Sequence, residues 1–305
     1  MELELIADGL AFPEGPVAMR DGSIILTEIA AGRLTRVTPG GGKEVLIETG
    51  GGPNGAAVGP DGAVWICNNG GAFSYVEEQG LLIPGPTPPG HQGGSIQRFD
   101  LGGGTLDTVY DSCDGRRLIG PNDIVFDAHG GFWFTDYGSS TPTGRNFGAV
   151  CYARADGSHI SRQRDEMFAP NGIGLSPAGD VVYVADTWLQ RLWAVDIVAP
   201  GELAPPPFPG VVHGRVIANL ADVQLLDSLA VEESGKVCVA TIMNGGITIF
   251  DPTGTTEHVA VPDIATTNIC FGGADMRDAW ITASSTGRLY KTRWPRPGLR
   301  LNHNG

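Results

Sequence analysis

A chain of 305 residues with 46 glycines and 22 prolines is long enough for two ordinary domains or for one large array of short elements joined by turns. Its formal charge of −14 argues against nucleic acid and anionic membrane surfaces as partners and suits a protein that binds cations. No apolar run reaches the length of a membrane span, and MELELIADGL lacks the basic and apolar parts of a signal peptide, so a cytoplasmic protein is expected.

Residues 2–7, ELELIA, alternate like a strand but stand ahead of the first repeat. Pro13-Glu14-Gly15 then opens a unit running from Phe12 to about Ile47, with RDGSIILTE, GRLTRVTP and EVLIE as its following strands. A second unit opens at Pro53-Asn54-Gly55 and continues through AVGPDGAVWICNN. Residues 71–95 interrupt it; their proline and glycine content reads as a long loop, and such loops are often lids or binding elements. Pro121-Asn122-Asp123 opens the third unit, which carries a second long loop at 138–147. The fourth, from Pro170-Asn171-Gly172, is the clearest: an apolar strand, a turn at Pro177 to Asp180, VVYVADT, another turn, then RLWAVDI. Its outer connection, APGELAPPPFPGVVHG, is expected on the rim. Leu226-Asp227-Ser228 opens the fifth unit and Thr267-Asn268-Ile269 the sixth, which shows three strands and stops at Pro295; RPGLRLNHNG reads as a surface tail. No segment has helical periodicity.

Six such units, most of them roughly 40–50 residues long, predict an all-β, six-bladed β-propeller spanning residues 1–305 as a single domain. The sixth blade lacks an outer strand, and residues 2–7 supply one, which would close the ring and leave no unpaired edge. The 71–95 insertion accounts for the long interval between Asn54 and Asn122. Five scattered cysteines without a CxxC pair read as reduced structural thiols rather than disulfides or a zinc site.

The opening residues carry the chemistry. Each is Glu, Asn or Asp, and inner strands of a propeller line its central channel, so six oxygen donors would ring one end. Oxygen-only donors suit a hard cation, Ca²⁺ first, with Mg²⁺, Mn²⁺ or Zn²⁺ as alternatives. Asx residues also cap turns before strands, but six in register, with Glu14 among them, exceed that explanation. Tyr137 and His91 are candidate substrate contacts at the channel mouth, together with Asn54 and Asn122. Asp186 has a capping or a metal-side role open to it, and Arg145 an anion-binding or a plain surface role.

FPEGP (12–16), GPNDIVFDAHGGFWFTDYG (120–138), APNGIGLSPAGDVVYVADT (169–187) and TNICFGG (267–273) together resemble the senescence-marker-protein/regucalcin, gluconolactonase and luciferin-regenerating-enzyme family, in its bacterial gluconolactonase-like branch. The resemblance spans nearly the whole chain. It implies one divalent metal in the channel held by Glu14, Asn171 and Asp227, with Asn122 as a fourth ligand or a substrate contact. It also implies a lactonase that opens a small lactone with Asp227 as general base. Two departures stand out. Gly120 occupies a position where the animal branch has an arginine that holds sugar hydroxyls, so the 71–95 and 138–147 segments are expected to set substrate choice. The family's Pro-Asp-Gly is here Leu226-Asp227-Ser228, where Ser228 either donates to Asp227 or simply fills a small site. The competing readings are metal-dependent hydrolysis of a non-sugar lactone or an organophosphate ester, and a non-catalytic calcium-binding propeller. Oligomeric state is not legible in the sequence.

Overall fold

Alternating β-branched and aromatic residues between Gly, Pro and Asp turns produce short antiparallel strands throughout. The computed structural model describes residues 1–141 and 143–303 and groups its long strands into six four-stranded blades. Blade 1 runs Pro13–Ala18, Ile24–Glu28, Arg33–Val37 and Lys43–Glu48. Blade 2 is Pro53–Val58, Val64–Asn68, Ser95–Phe99 and Leu106–Tyr110. Blade 3 is Pro121–Phe126, Gly131–Asp136, Gly148–Arg154 and Ile160–Met167. Blade 4 is Pro170–Leu175, Val181–Asp186, Arg191–Ala199 and Arg215–Asn219. Blade 5 is Leu225–Val231, Val237–Ile242, Gly246–Phe250 and Thr256–Ala260. Blade 6 has Thr266–Gly272, Asp278–Ala283 and Arg288–Arg293, and its outer strand is the N-terminal Glu4–Ala7. As expected, that strand closes the ring, pairing Glu4 with Lys291, Leu5 with Tyr290 and Ala7 with Leu289. No α-helix occurs among the described residues, so none is long and apolar enough to cross a membrane.

The core is divided among the blade interfaces. Trp65, Phe126 and Phe132 pack between blades 2 and 3, and Trp133, Leu175, Val184 and Trp193 between blades 3 and 4. Comparable clusters fill the other four interfaces, including Leu26 against Trp280 and Leu289 where the last blade meets the first. All five cysteines are free thiols; four are buried and Cys270 is partly so.

Inner strands of neighbouring blades touch all the way round. Each carries a register irregularity at its start, as between Glu14 and Val17, Pro121 and Ile124, or Leu226 and Leu229. Such bulges bend the strand and re-aim side chains. Close approach at the axis demands glycine at some of them: a Cβ on Gly172 would lie 2.6 Å from the Asp227 carbonyl oxygen and 2.8 Å from Ser228 Cα.

Three sequence expectations change. The 71–95 segment is not plain loop but holds a hairpin, Tyr75–Glu78 with Leu81–Pro84, turned by Gln79 and Gly80, both at positive φ. The 138–147 segment holds a smaller one, Ser139–Thr141 with Gly144–Asn146; Pro142 lies outside the described residues, as do Asn304 and Gly305. The C-terminal stretch is more than a surface tail. Leu299 N donates to Val231 O at 2.8 Å, Asn302 Nδ2 donates to Phe126 O at 3.0 Å, and His303 packs edge-on against Phe126. These partners end or adjoin the inner strands of blades 5 and 3, so the tail crosses the lower end of the channel, where Leu299, Leu301 and His303 line a small cavity of about 100 Å³.

Candidate functional site

At the upper end, where the inner strands begin, a cavity of about 450 Å³ is lined by five of the six opening residues: Glu14, Asn54, Asn122, Asn171 and Asp227. The sixth stands behind them. Asn268 Nδ2 donates to Glu14 Oε2 at 2.7 Å, and Asn268 is among the residues of the lower cavity instead. Hydroxyls from neighbouring blades fix the ring: Thr27 Oγ1 donates to Asn54 O at 2.6 Å, and Thr135 Oγ1 to Asn171 O at 2.5 Å. Asn171 Nδ2 donates to Thr187 Oγ1 at 3.2 Å.

The floor is short of partners. Glu14 Oε1 and Asn122 Oδ1 are buried with none. Burial, reinforced by the charge of Asp227, raises Glu14 well above the usual carboxylate range. Burial also pushes Asp227 up to about 7, with a hydrogen bond from Asn171 opposing and the charge of Asp123 adding to the shift. Buried carboxylates and idle oxygens that converge on one cavity fit a cation, which would satisfy the lone pairs and offset the desolvation. Among the described residues no three His, Cys, Asp or Glu side chains form a metal cluster; two carboxylates and three amides are the available donors, a hard-ion set.

Tyr137 lies on the cavity wall, its hydroxyl accepting from Trp188 Nε1 at 3.0 Å. His91 is not on the cavity; its Nε2 sits 2.8 Å from Asn69 O, so the structure holds it at the base of the 71–95 segment and away from the opening residues. Arg145 anchors the small hairpin, donating to Phe168 O, Ser140 Oγ and Tyr137 O and stacking 4.3 Å over the Tyr137 ring. Asp186 caps a turn, accepting from Leu189 N at 3.3 Å, and burial pushes it up to about 6. The Ser228 hydroxyl reaches Asn171 Oδ1 at 3.5 Å and also serves Asp123, and it is the Ser228 backbone N–H that donates to Asp227. Gly120 is pinned by its backbone: its N–H donates to Asp136 Oδ1 at 2.7 Å, and an added Cβ would meet Gly138 O at 2.7 Å.

Two residues of the site were not singled out by sequence reasoning. Asp123 follows Asn122 directly, where other blades have Gly, Ser or Ile, and accepts from Ile124 N and Ile173 N; burial pushes it up to about 7. That one substitution within the Pro-Asn-Gly pattern was its signal. Tyr75 comes from the insertion, stacks on Phe12 at 5.2 Å, and holds a buried hydroxyl without a partner. Burial and then the charges of Glu14 and Asp227 raise its phenol, so it faces the same floor. No repeat position could have announced it.

Comparisons with known proteins accord with this fold. Residues 12–285 match the family described as the SMP-30/Gluconolactonase/LRE-like region. A gluconolactonase of Zymomonas mobilis is 24% identical over 299 residues, covering 88% of this chain and 76% of its own length. A diisopropyl-fluorophosphatase of Loligo vulgaris is 26% identical over 203 residues, 61% of each chain. Among solved structures, a gluconolactonase from Xanthomonas campestris superposes with a TM-score of 0.74 at 22% identity, over 96% of this chain and 89% of that one.

Proposed function

The chain belongs to the SMP-30/gluconolactonase/LRE-like family, and from that premise we propose that it is a divalent-metal-dependent lactonase whose reaction centre is the floor of the upper cavity. The observation that carries this reading is the pair of unpartnered oxygens, Glu14 Oε1 and Asn122 Oδ1, beside the buried Asp227. Glu14, Asn171 and Asp227 would hold the ion, with Asn122 as a further ligand or, together with Asn54, as a contact to substrate. Ca²⁺ suits these oxygens first, and Mg²⁺, Mn²⁺ or Zn²⁺ would also be accepted. When bound, a cation supplies Lewis-acid polarisation of a carbonyl oxygen and a field that makes nearby water more acidic.

The protein's own part is positioning and proton transfer. Asn122 and Asn54 present amide groups to the lactone from two neighbouring blades. Asp227, ionised beside a dication, accepts the proton of the attacking water through whichever oxygen faces it. The water oxygen bonds to the carbonyl carbon, the ring C–O bond breaks as the ring oxygen takes up the proton that Asp227 accepted, and the hydroxy acid leaves. Tyr75 and the roof around it keep bulk water away from the floor.

The match to a fluorophosphatase favours one second reading, attack on a phosphorus ester at the same floor. One experiment separates the possibilities: metal content is measured directly on the purified protein, then hydrolysis of a panel of lactones and phosphotriesters is followed with chelator and with each cation restored. The lactonase reading expects one divalent ion per chain and lactone turnover that disappears with the ion and returns with it. Turnover indifferent to chelation would overturn the metal assignment. A bound ion with no turnover on any substrate would leave a cation-binding propeller.

A further inference from the structure

The walls and roof of the upper cavity carry a chemistry that the floor does not require. Tyr75 and Leu82 of the roof hairpin pack on Phe12, Ile29 and Ala265. Trp188, Met243 and Ile264 continue the apolar lining. The roof is fastened on two sides of the mouth: Leu82 N donates to Ser285 O at 2.8 Å, and Thr87 N donates to Ser140 O at 3.1 Å. Among the described residues lining this cavity there is no Lys, Arg or His.

The hydroxyls above the floor are largely engaged. Ser285 Oγ donates to Asp263 Oδ1, Thr187 Oγ1 accepts from Asn171 Nδ2, Ser140 Oγ accepts from Arg145 Nη1, and Tyr137 Oη accepts from Trp188 Nε1. The Tyr75 hydroxyl is buried without a partner. A ligand entering this space therefore meets a polar floor, the unpartnered Tyr75 hydroxyl, the O–H groups that Thr187, Ser140 and Tyr137 keep while they accept, and otherwise hydrocarbon and aromatic surface.

We propose that the cavity takes an uncharged lactone bearing a sizeable alkyl or aryl substituent, with the ring carbonyl toward the floor and the substituent under the Tyr75–Pro84 roof; this rests on the lactonase reading above. A polyhydroxylated lactone would press its hydroxyls against Phe12, Leu82, Met243 and Ile264, where nothing answers them, and an unpaired buried hydroxyl is costly. An anionic substituent would find no cationic side chain in the walls. A buried methylene, by contrast, tightens binding about fourfold. The cavity of about 450 Å³ falls in the range of small-molecule sites.

The test separates binding from turnover. Cation-supplemented wild-type protein is titrated calorimetrically with lactams, which keep the ring carbonyl but resist hydrolysis. The series carries hydrogen, ethyl, butyl or hexyl substituents, with gluconolactam alongside. The expected result is affinity rising about fourfold per methylene, at least about a hundredfold from hydrogen to butyl, with gluconolactam weaker than the butyl ring. A flat series, or gluconolactam as the tightest ligand, overturns the proposal. Hydrolysis of the corresponding lactones is followed in parallel. If gluconolactam binds best and gluconolactone is cleaved best, the substrate class is wrong and the lactonase stands. If the alkyl series binds in order and no lactone is cleaved, the ligand class stands and the lactonase falls.

Discussion

Asp227 is asked to serve both as a ligand and as a base, and a carboxylate bound to a dication is a weaker base than a free one. Its demand is smaller than it looks, because the water it deprotonates is acidified by the same charge. General-base assistance of this kind contributes about 10²–10⁴-fold. Asp227→Asn keeps a neutral oxygen donor and loses the proton acceptor. Steady-state lactone hydrolysis at saturating cation, with occupancy checked on the same samples, should fall at least about a hundredfold; turnover near wild type would end the general-base role. Glu14→Gln should instead act on cation affinity, since Gln removes a formal charge and leaves the Asn268 contact in place. How far such residues could be read in advance depended on the repeat. Glu14, Asn54, Asn122, Asn171 and Asp227 were legible because five blades offer the same position to one axis, and all five line the cavity. Asp123 was not, because a bulge lets a second consecutive residue reach the channel and no strand alternation foretells it. His91 misled for the opposite reason: a histidine in a long insertion has no repeat to place it, and the fold spends it on Asn69.

At the scale of elements, the blades followed from period-2 patterning and turn chemistry, including the N-terminal strand assigned to the last blade by elimination of a free edge. That strand is the latch of the ring. Thr292 Oγ1 donates to Glu2 O at 2.6 Å just beyond the paired residues, and Ala7 and Leu10 pack with Trp280 and Leu289. Removing residues 1–8 would cost about 2–4 kcal/mol in lost ladder bonds and apolar burial. It would also bare the Arg288–Arg293 edge to other chains. Urea unfolding should show a lower midpoint and size exclusion should show self-association; an unchanged midpoint would mean the strand is ornamental. The larger hairpin was hidden because proline and glycine on either side outweighed the short runs YVEE and LLIP. The tail was hidden for a different reason: RPGLRLNHNG has no pattern of its own, and only the channel end it crosses gives its apolar residues somewhere to go.

The molecule as a whole holds several carboxylates out of water, and that ties its stability to pH and cation together. Asp227 and Asp123 stand at about 7 in the folded protein, against ordinary values of 3.8. A folded pKa raised above the unfolded one means that folding takes up protons in between. Cation-free protein should therefore lose stability as pH rises from about 4 to about 7. Cation binding needs the ionised forms and releases those protons, so the rise in Tm on adding Ca²⁺ should grow across the same window and level off above it. Thermal unfolding at a series of pH values, with and without Ca²⁺, reads this directly; a pH-independent increment would contradict it. The crossing of the lower channel end by Leu299, Leu301 and His303 has a kinetic counterpart. Among the described residues, the cavity above the floor and the one the tail crosses share no lining residue, so substrate and product are expected to use the same passage beneath the hairpin roof. Entry and exit are then mutually exclusive events at one threshold, so the ring-opened hydroxy acid should act as a purely competitive inhibitor of its own formation.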